Sequence, residues 1–161
     1  MAKAREIEGV HCEDAFGSVA ARMVSVRADE LLEQSEGVLD ISDIERVHDM
    51  RVASRRLRAA MEVFAPCFPR KRFRAALDEV KAIADALGER RDADVSIAAM
   101  EGFASRLVVT DRHGVQVMVE GMREEQELAN ERLEPFVRKR RLADLRERIE
   151  KLAAAAERRA A

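Results

Sequence analysis

VHDMRVASRRLRAAMEVF, residues Val47–Phe64, is the stretch whose reading decides the fold. At about 100° per residue it forms one helix with two incompatible sides. Met50, Ala53, Leu57, Ala60, Met61 and Phe64 gather on one side. His48, Arg51, Arg55 and Arg58 fall within about 80° of one another on the opposite side, with Arg56 at the flank. A helix that buries its apolar side must display those arginines together. Each guanidinium is permanently charged and offers a planar fork of donors suited to phosphate or carboxylate oxygens. The stripe therefore points to a polyanion. The plain alternative is a solvated helix laced with salt bridges to Asp49, Glu62 or other acidic neighbours.

Working outward, the flanking segments repeat the helical period. Before the stripe, Phe16, Val19, Ala20, Met23, Val26, Ala28, Leu31 and Leu32 predict a helix over 13–35, ended by Gly37. Asp40 to Asp43 make a short connection with a Ser42 or Asp43 cap before the striped helix over 44–65. Pro66 and Pro69 punctuate the next turn. A third helix over 70–87 puts Phe73, Leu77, Val80, Ala84 and Leu87 inward, with Gly88 as its C-cap. A fourth over 92–107 uses Val95, Ile97, Ala98 and Phe103. VVTDRHG has β-like composition but is too short to found a sheet. Helices over 115–137 (Val115, Val119, Met122, Leu128, Leu133) and 141–159 (Leu142, Leu145, Ile149, Leu152) complete the chain, with a frayed tail expected over 153–161. Phe64, Phe68 and Phe73 are read as core around the turn.

Composition agrees. Of 161 residues, 47% are hydrophobic and 37% charged, with no Trp or Tyr and few Gly and Pro. That balance predicts one all-α domain over 1–161, an antiparallel helical bundle of about five to six helices. Arginine outnumbers lysine by 24 to 5, but placement carries more meaning than the count. Residues 46–91 hold 12 basic and 6 acidic side chains, whereas the rest of the chain holds 17 and 25. A local basic site on an acidic body is expected, which argues against broad coating of DNA. With no aromatic interleaving the arginines, base-stacking recognition of single-stranded RNA lacks its platform.

Other chemistries find little support. Cys12 and Cys67 match no metal or redox spacing, and no partner stands at ligand spacing from His48, so no metal site and no cofactor are expected. The pair His11 and Cys12 reads as uninvolved. His48 reads as a groove-lining donor, ahead of a packed core residue. Asp92 and Asp94 are expected to open a helix, where carboxylates complement the dipole or hold a binding arginine in place. The two could instead chelate Mg²⁺ with substrate phosphates, but no glycine-rich phosphate loop or nucleophile–base pair accompanies them, so no catalytic residue is assigned. The opening MAKAREIEGVHCED is charged, and no apolar run is long enough to span a membrane. A reduced cytoplasmic setting is the expectation.

The pattern H-x-x-R-V-x-x-R-R-L-R at His48–Arg58, the proline-bearing turn, the basic helix after it and LGERRDADV together resemble the CHAD domain, the conserved histidine α-helical domain. The resemblance covers residues 45–95, about a third of the chain. It implies a helical module that binds inorganic polyphosphate through a basic groove without chemically changing it, in some proteins at polyphosphate granules. The motif positions fall on His48, Arg51, Arg55, Arg56 and Arg58, with the RDxD element at Arg91, Asp92 and Asp94. Basic residues of the motif's second helix correspond to Arg70, Lys71, Arg74 and Lys81. CHAD domains consist of two related halves, each with a histidine-and-arginine helix, and this chain matches one. Its later histidine, His113, is followed by acidic residues instead of arginines. Two copies pairing as a homodimer about a two-fold axis would rebuild the groove. Three rival readings remain at this point: a basic face that docks an acidic protein partner, a nucleic-acid-binding bundle, or a phosphohydrolase or phosphotransferase using Asp92 and Asp94.

Overall fold

The computed structural model describes residues 3–160, with α1 at Phe16–Glu33, α2 at Ile44–Val63, α3 at Arg70–Ala104, α4 at Arg112–Val137 and α5 at Lys139–Ala160. Short 3-10 turns at Ala65–Cys67 and Val109–Asp111 join α2 to α3 and α3 to α4. Among the described residues there is no strand, as the composition predicts. VVTDRHG supplies the second of these turns and the start of α4, leaving Val108 and Val109 exposed.

α1 lies between α2 and α5, α2 also packs on α3, and α3 packs on α4 along its length and on part of α5. Leu31, Met50, Leu57, Met61, Ile83, Leu87, Leu133, Leu145, Ile149 and Leu152 are buried at the centre of one apolar cluster that draws on all five helices. The phenylalanines of the turn join it: Phe64, Phe68 and Phe73 are buried, and Phe68 stacks on Phe73 with ring centroids 5.8 Å apart. Phe16 is exposed at the start of α1 but sets its ring 4.9 Å from that of Phe64. At that end α1 and α5 come very close. A Cβ on Gly17 would stand 2.8 Å from the Ala156 carbonyl oxygen, so only glycine fits. Gly37, at φ +69°, turns the chain between α1 and α2, and Arg46 Nη1 donates 3.0 Å to the Glu36 carbonyl beside it. Asp40 Oδ1 accepts from the Ser42 amide and hydroxyl, while Asp43, the residue preceding α2, makes no side-chain cap.

Three expectations need correction. The segments 70–87 and 92–107 are one helix of 35 residues, about 52 Å long. Gly88 lies within it, with a negative φ and open space at its Cβ position. A glycine inside a helix costs only about 1 kcal/mol. The buried series Ile83, Leu87, Arg90, Asp94 and Ile97 keeps the 3–4 spacing running through it, so packing carries the helix past the expected cap. Second, Val95, Phe103 and Leu128 were placed inward by the periodicity and are exposed. They lie where α3 and α4 have only each other to pack on. Third, α5 continues to Ala160 with Leu152, Ala153, Ala155 and Ala156 buried, where the sequence suggested fraying. Ala161 lies outside the described residues.

The far end of the α3–α4 hairpin has its own small cluster, in which only Ile97, Val115 and Val119 are buried. Between it and the main core sits a polar layer made of Arg90, Asp94 and Gln126.

Candidate functional site

α2 is held by its inward series Val47, Met50, Ala53, Ser54, Leu57 and Met61, all buried. Counting from the centre of that buried side, His48, Arg51, Arg55 and Arg58 lie on a flank about 120° away. The sequence reading put them directly opposite the core. Their exposure follows the corrected position: Arg55 is exposed, while His48, Arg51, Arg56 and Arg58 are half-buried. A flank position lets a long side chain lay its methylenes on the neighbouring helix and keep its charged head in water.

The neighbour on that flank is α3, antiparallel to α2. Arg91 ties the two together, with Nη1 donating 3.1 Å to the Ile44 carbonyl and Nη2 standing 3.8 Å from Glu45. At the other end the chain returns through the 3-10 turn into Arg70. Arg70, Arg74 and Lys81 recur at four- and seven-residue intervals and share one side of α3, about 80° around the axis from Arg91 and on the flank towards α2. Arg70 and Arg74 are exposed and Lys81 is half-buried. Lys71 is exposed on the adjoining stripe. The fold thus brings the α2 stripe and the α3 stripe to one surface. Arg91 stands apart from the others, because it is largely covered and its donors already hold the start of α2.

Pairing separates these cations from most others. Among the described residues, Arg51, Arg55, Arg70, Lys71, Arg74 and Lys81 have no ion pair and no side-chain hydrogen bond, and neither has His48. Arg58 Nε binds Glu62 at 3.0 Å, one turn along α2. Arg56 is engaged. Elsewhere Arg141 and Arg148 share Glu79, at 3.2 and 2.6 Å, and Arg146 holds both Asp29 and Glu150.

The RDxD element does not open a helix. It lies in the middle of α3, so neither aspartate caps or complements a helix dipole there. Asp92 is exposed, whereas Asp94 is buried, and two positions apart they point about 160° away from each other around the axis. They cannot close on one cation. Asp94 instead pairs with Arg90, the next turn's residue, and accepts from Gln126 Nε2 at 2.6 Å. Both members of the pair are fully covered. Burial pushes the Arg90 guanidinium below its ordinary range, and the charge of Arg91 adds to that. Arg90 Nε and Nη2 and Asp94 Oδ2 have no further partner. The sequence reading missed Arg90, although its place in the series 83, 87, 90, 94 was a usable signal.

No group of three His, Cys, Asp or Glu side chains able to hold a metal comes together among the described residues. Cys12 and Cys67 are both free thiols, and burial raises the Cys67 pKa. Among the described residues no helix is long and apolar enough to cross a membrane.

Comparison with curated proteins and with solved structures returns no match. The sequence model of one family, the CHAD domain, matches residues 22–161. That span takes in most of α1 and all of α2 to α5, well beyond the motif at 45–95, and so includes helices that carry no signature of their own. An all-helical bundle whose histidine-and-arginine helix runs beside a basic helix, matched over nearly its whole length, belongs to the CHAD domain family.

Proposed function

We propose that this chain binds inorganic polyphosphate on the α2–α3 surface and does not act on it chemically. The family is associated with polyphosphate binding in general. The observation that carries the reading here is that Arg51, Arg55, Arg70, Lys71, Arg74 and Lys81, on two adjoining helices, have no ion pair among the described residues, while Arg56, Arg58 and Arg91 already hold a protein partner. Arg51, Arg55, Arg56 and Arg58 supply most of the contact energy, and His48, Arg70, Lys71, Arg74, Lys81 and Arg91 extend the surface. Neighbours three and four apart on a helix stand about 5–6 Å apart at Cβ, comparable to the spacing of phosphates along an extended chain. Each guanidinium can take two oxygens of one phosphate, and several contacts in series give avidity. A cation that lacks a protein partner gives up only water and counterions to the ligand. Their release makes the binding salt-dependent.

The single-half resemblance supports a second element of the proposal. Two copies pair about a two-fold axis, so that each contributes one arginine helix to a shared groove in a cytoplasmic protein, at polyphosphate granules where those form. A monomer in sedimentation that still binds tightly would remove this element and leave the first.

The deciding experiment titrates labelled long-chain polyphosphate into the protein and into an Arg51→Ala/Arg55→Ala/Arg58→Ala variant at two salt concentrations. Loss of three charge-assisted contacts should weaken binding on the order of 100-fold. The slope of log affinity against log salt should fall by about 2. Duplex DNA should compete poorly at moderate salt, and no phosphate should be released with Mg²⁺ present. No binding by the unmodified protein would overturn the proposal.

A further inference from the structure

We propose that the groove between the outer halves of α3 and α4 is a docking site for a positively charged amphipathic helix of a partner protein. The inference is independent of the polyphosphate reading, because it concerns a different surface of opposite charge. A cleft of about 530 Å³ opens there, floored by Ala93, Met122, Leu128 and Ala129. Asp92 and Glu125 stand at its edges. The Glu89–Arg132 pair, 3.1 Å apart, bridges the two helices at the end nearer the main core. Helical spacing carries the same two stripes towards the hairpin tip, through Met100 and Phe103 on α3 and Met118 on α4. Leu128, Met118 and Phe103 are 52%, 54% and 45% exposed, large values for side chains on helices that already pack together.

Three features name the occupant. The apolar positions recur at three- and four-residue intervals on two antiparallel helices, which is the groove that the apolar side of a third helix fills. Methionines at 100, 118 and 122 give the wall side chains that adapt to varied partners. The edge is acidic and unneutralised. Asp92 and Glu125 have no ion pair among the described residues, and Glu120, Glu124, Glu127 and Glu131, on other sides of α4, add to its negative field. A helix with Lys or Arg beside its apolar stripe meets complementary charge there, whereas an acidic helix or polyphosphate is repelled. The hairpin's own cluster buries only Ile97, Val115 and Val119, so a docked helix would complete a core that the chain leaves thin.

The test uses the full chain with ¹³C-methyl-labelled methionine and a synthetic 18-residue helix of leucine and lysine with one apolar side. The Met118 and Met122 methyl signals should shift, while those of Met50 and Met61 in the main core stay in place. The same peptide with glutamate for lysine should bind at least tenfold more weakly. Asp92→Lys/Glu125→Lys, at exposed positions that leave the fold intact, should reverse that preference, and Leu128→Glu should weaken the basic peptide about tenfold. Silent Met118 and Met122 signals, or a preference unchanged by the charge reversal, would overturn the proposal. Polyphosphate affinity of the Leu128→Glu variant, read separately, reports on the α2–α3 surface, because Leu128 lies on α4.

Discussion

The α2–α3 surface and the α4–α5 surface are built from the same arginine-rich chain and pair their cations to different extents. On α4 and α5, Arg132, Arg138, Arg141, Arg146, Arg148 and Lys151 each meet a carboxylate. On α2 and α3, Arg51, Arg55, Arg70, Lys71, Arg74 and Lys81 meet none among the described residues. A paired arginine trims surface charge and adds little stability when exposed. An unpaired one makes no ion pair for the fold and keeps its donors for something else. The difference teaches that the proposed binding surface is marked by missing counter-charges, which counting arginines does not reveal.

The sharpest way to probe the contrast is at its extreme, the buried Arg90–Asp94 pair. Asp94→Ala should destabilise the protein by about 3–5 kcal/mol, because it leaves a fully covered guanidinium without its carboxylate. Thermal unfolding followed by circular dichroism should show a fall of roughly 6–20 °C. A change of a degree or two would mean that this pair is no more structural than the exposed ones.

Next comes the unpaired side. Arg74→Ala/Lys81→Ala should weaken polyphosphate binding about tenfold while the melting temperature moves by no more than about 2 °C, since neither side chain has a partner to lose. A large loss of stability there would break the comparison. Its counterpart on the other surface is Arg138→Ala/Arg146→Ala. That change should leave polyphosphate affinity within about twofold and cost at most about 1 kcal/mol. If it weakened binding as much as the α3 pair, the site would not be confined to α2 and α3.

The smallest effect concerns Glu147. The hydrogen bond and the charge of Lys151 hold its carboxyl below the ordinary glutamate range. A lowered folded value means that the pair favours the folded state above the ordinary value, and that this contribution fades as pH falls through the folded one. Glu147→Gln should therefore lower the melting temperature by no more than about 1–2 °C near neutral pH, and the two proteins should converge as pH falls through the acid range. A pronounced effect at neutral pH would show that exposed pairs carry more of this fold than the contrast allows.

How far the sequence could be read depends on which interaction governs each residue. The all-helical class, the α2 stripe and the aromatic turn at Phe64, Phe68 and Phe73 were legible, because local period and proline placement fix them. The break at Gly88 was misread because a glycine's local preference is weak, and the packing of Ile83, Leu87 and Ile97 overrides it. Val95, Phe103 and Leu128 were misread because periodicity says that a side is apolar but not whether anything covers it. The flank position of the arginine stripe was invisible for a related reason. Only the arrangement of α1 and α3 around α2 sets which direction counts as inward.

By itself, then, the sequence determined that this chain would fold as helices, that α2 would carry His48, Arg51, Arg55 and Arg58 together, and to which family it belongs. These follow from covalent order and a fixed helical repeat, which act over a few residues. The tertiary structure alone decided that α3 runs unbroken, that Arg90 and Asp94 meet Gln126 in a buried layer, and that Arg51, Arg55, Arg70, Arg74 and Lys81 lie on adjoining helices with no ion pair among the described residues. Those outcomes depend on which distant side chains come within a few ångströms of each other. Burial and pairing energies, unlike helical periodicity, are defined only once the helices have packed.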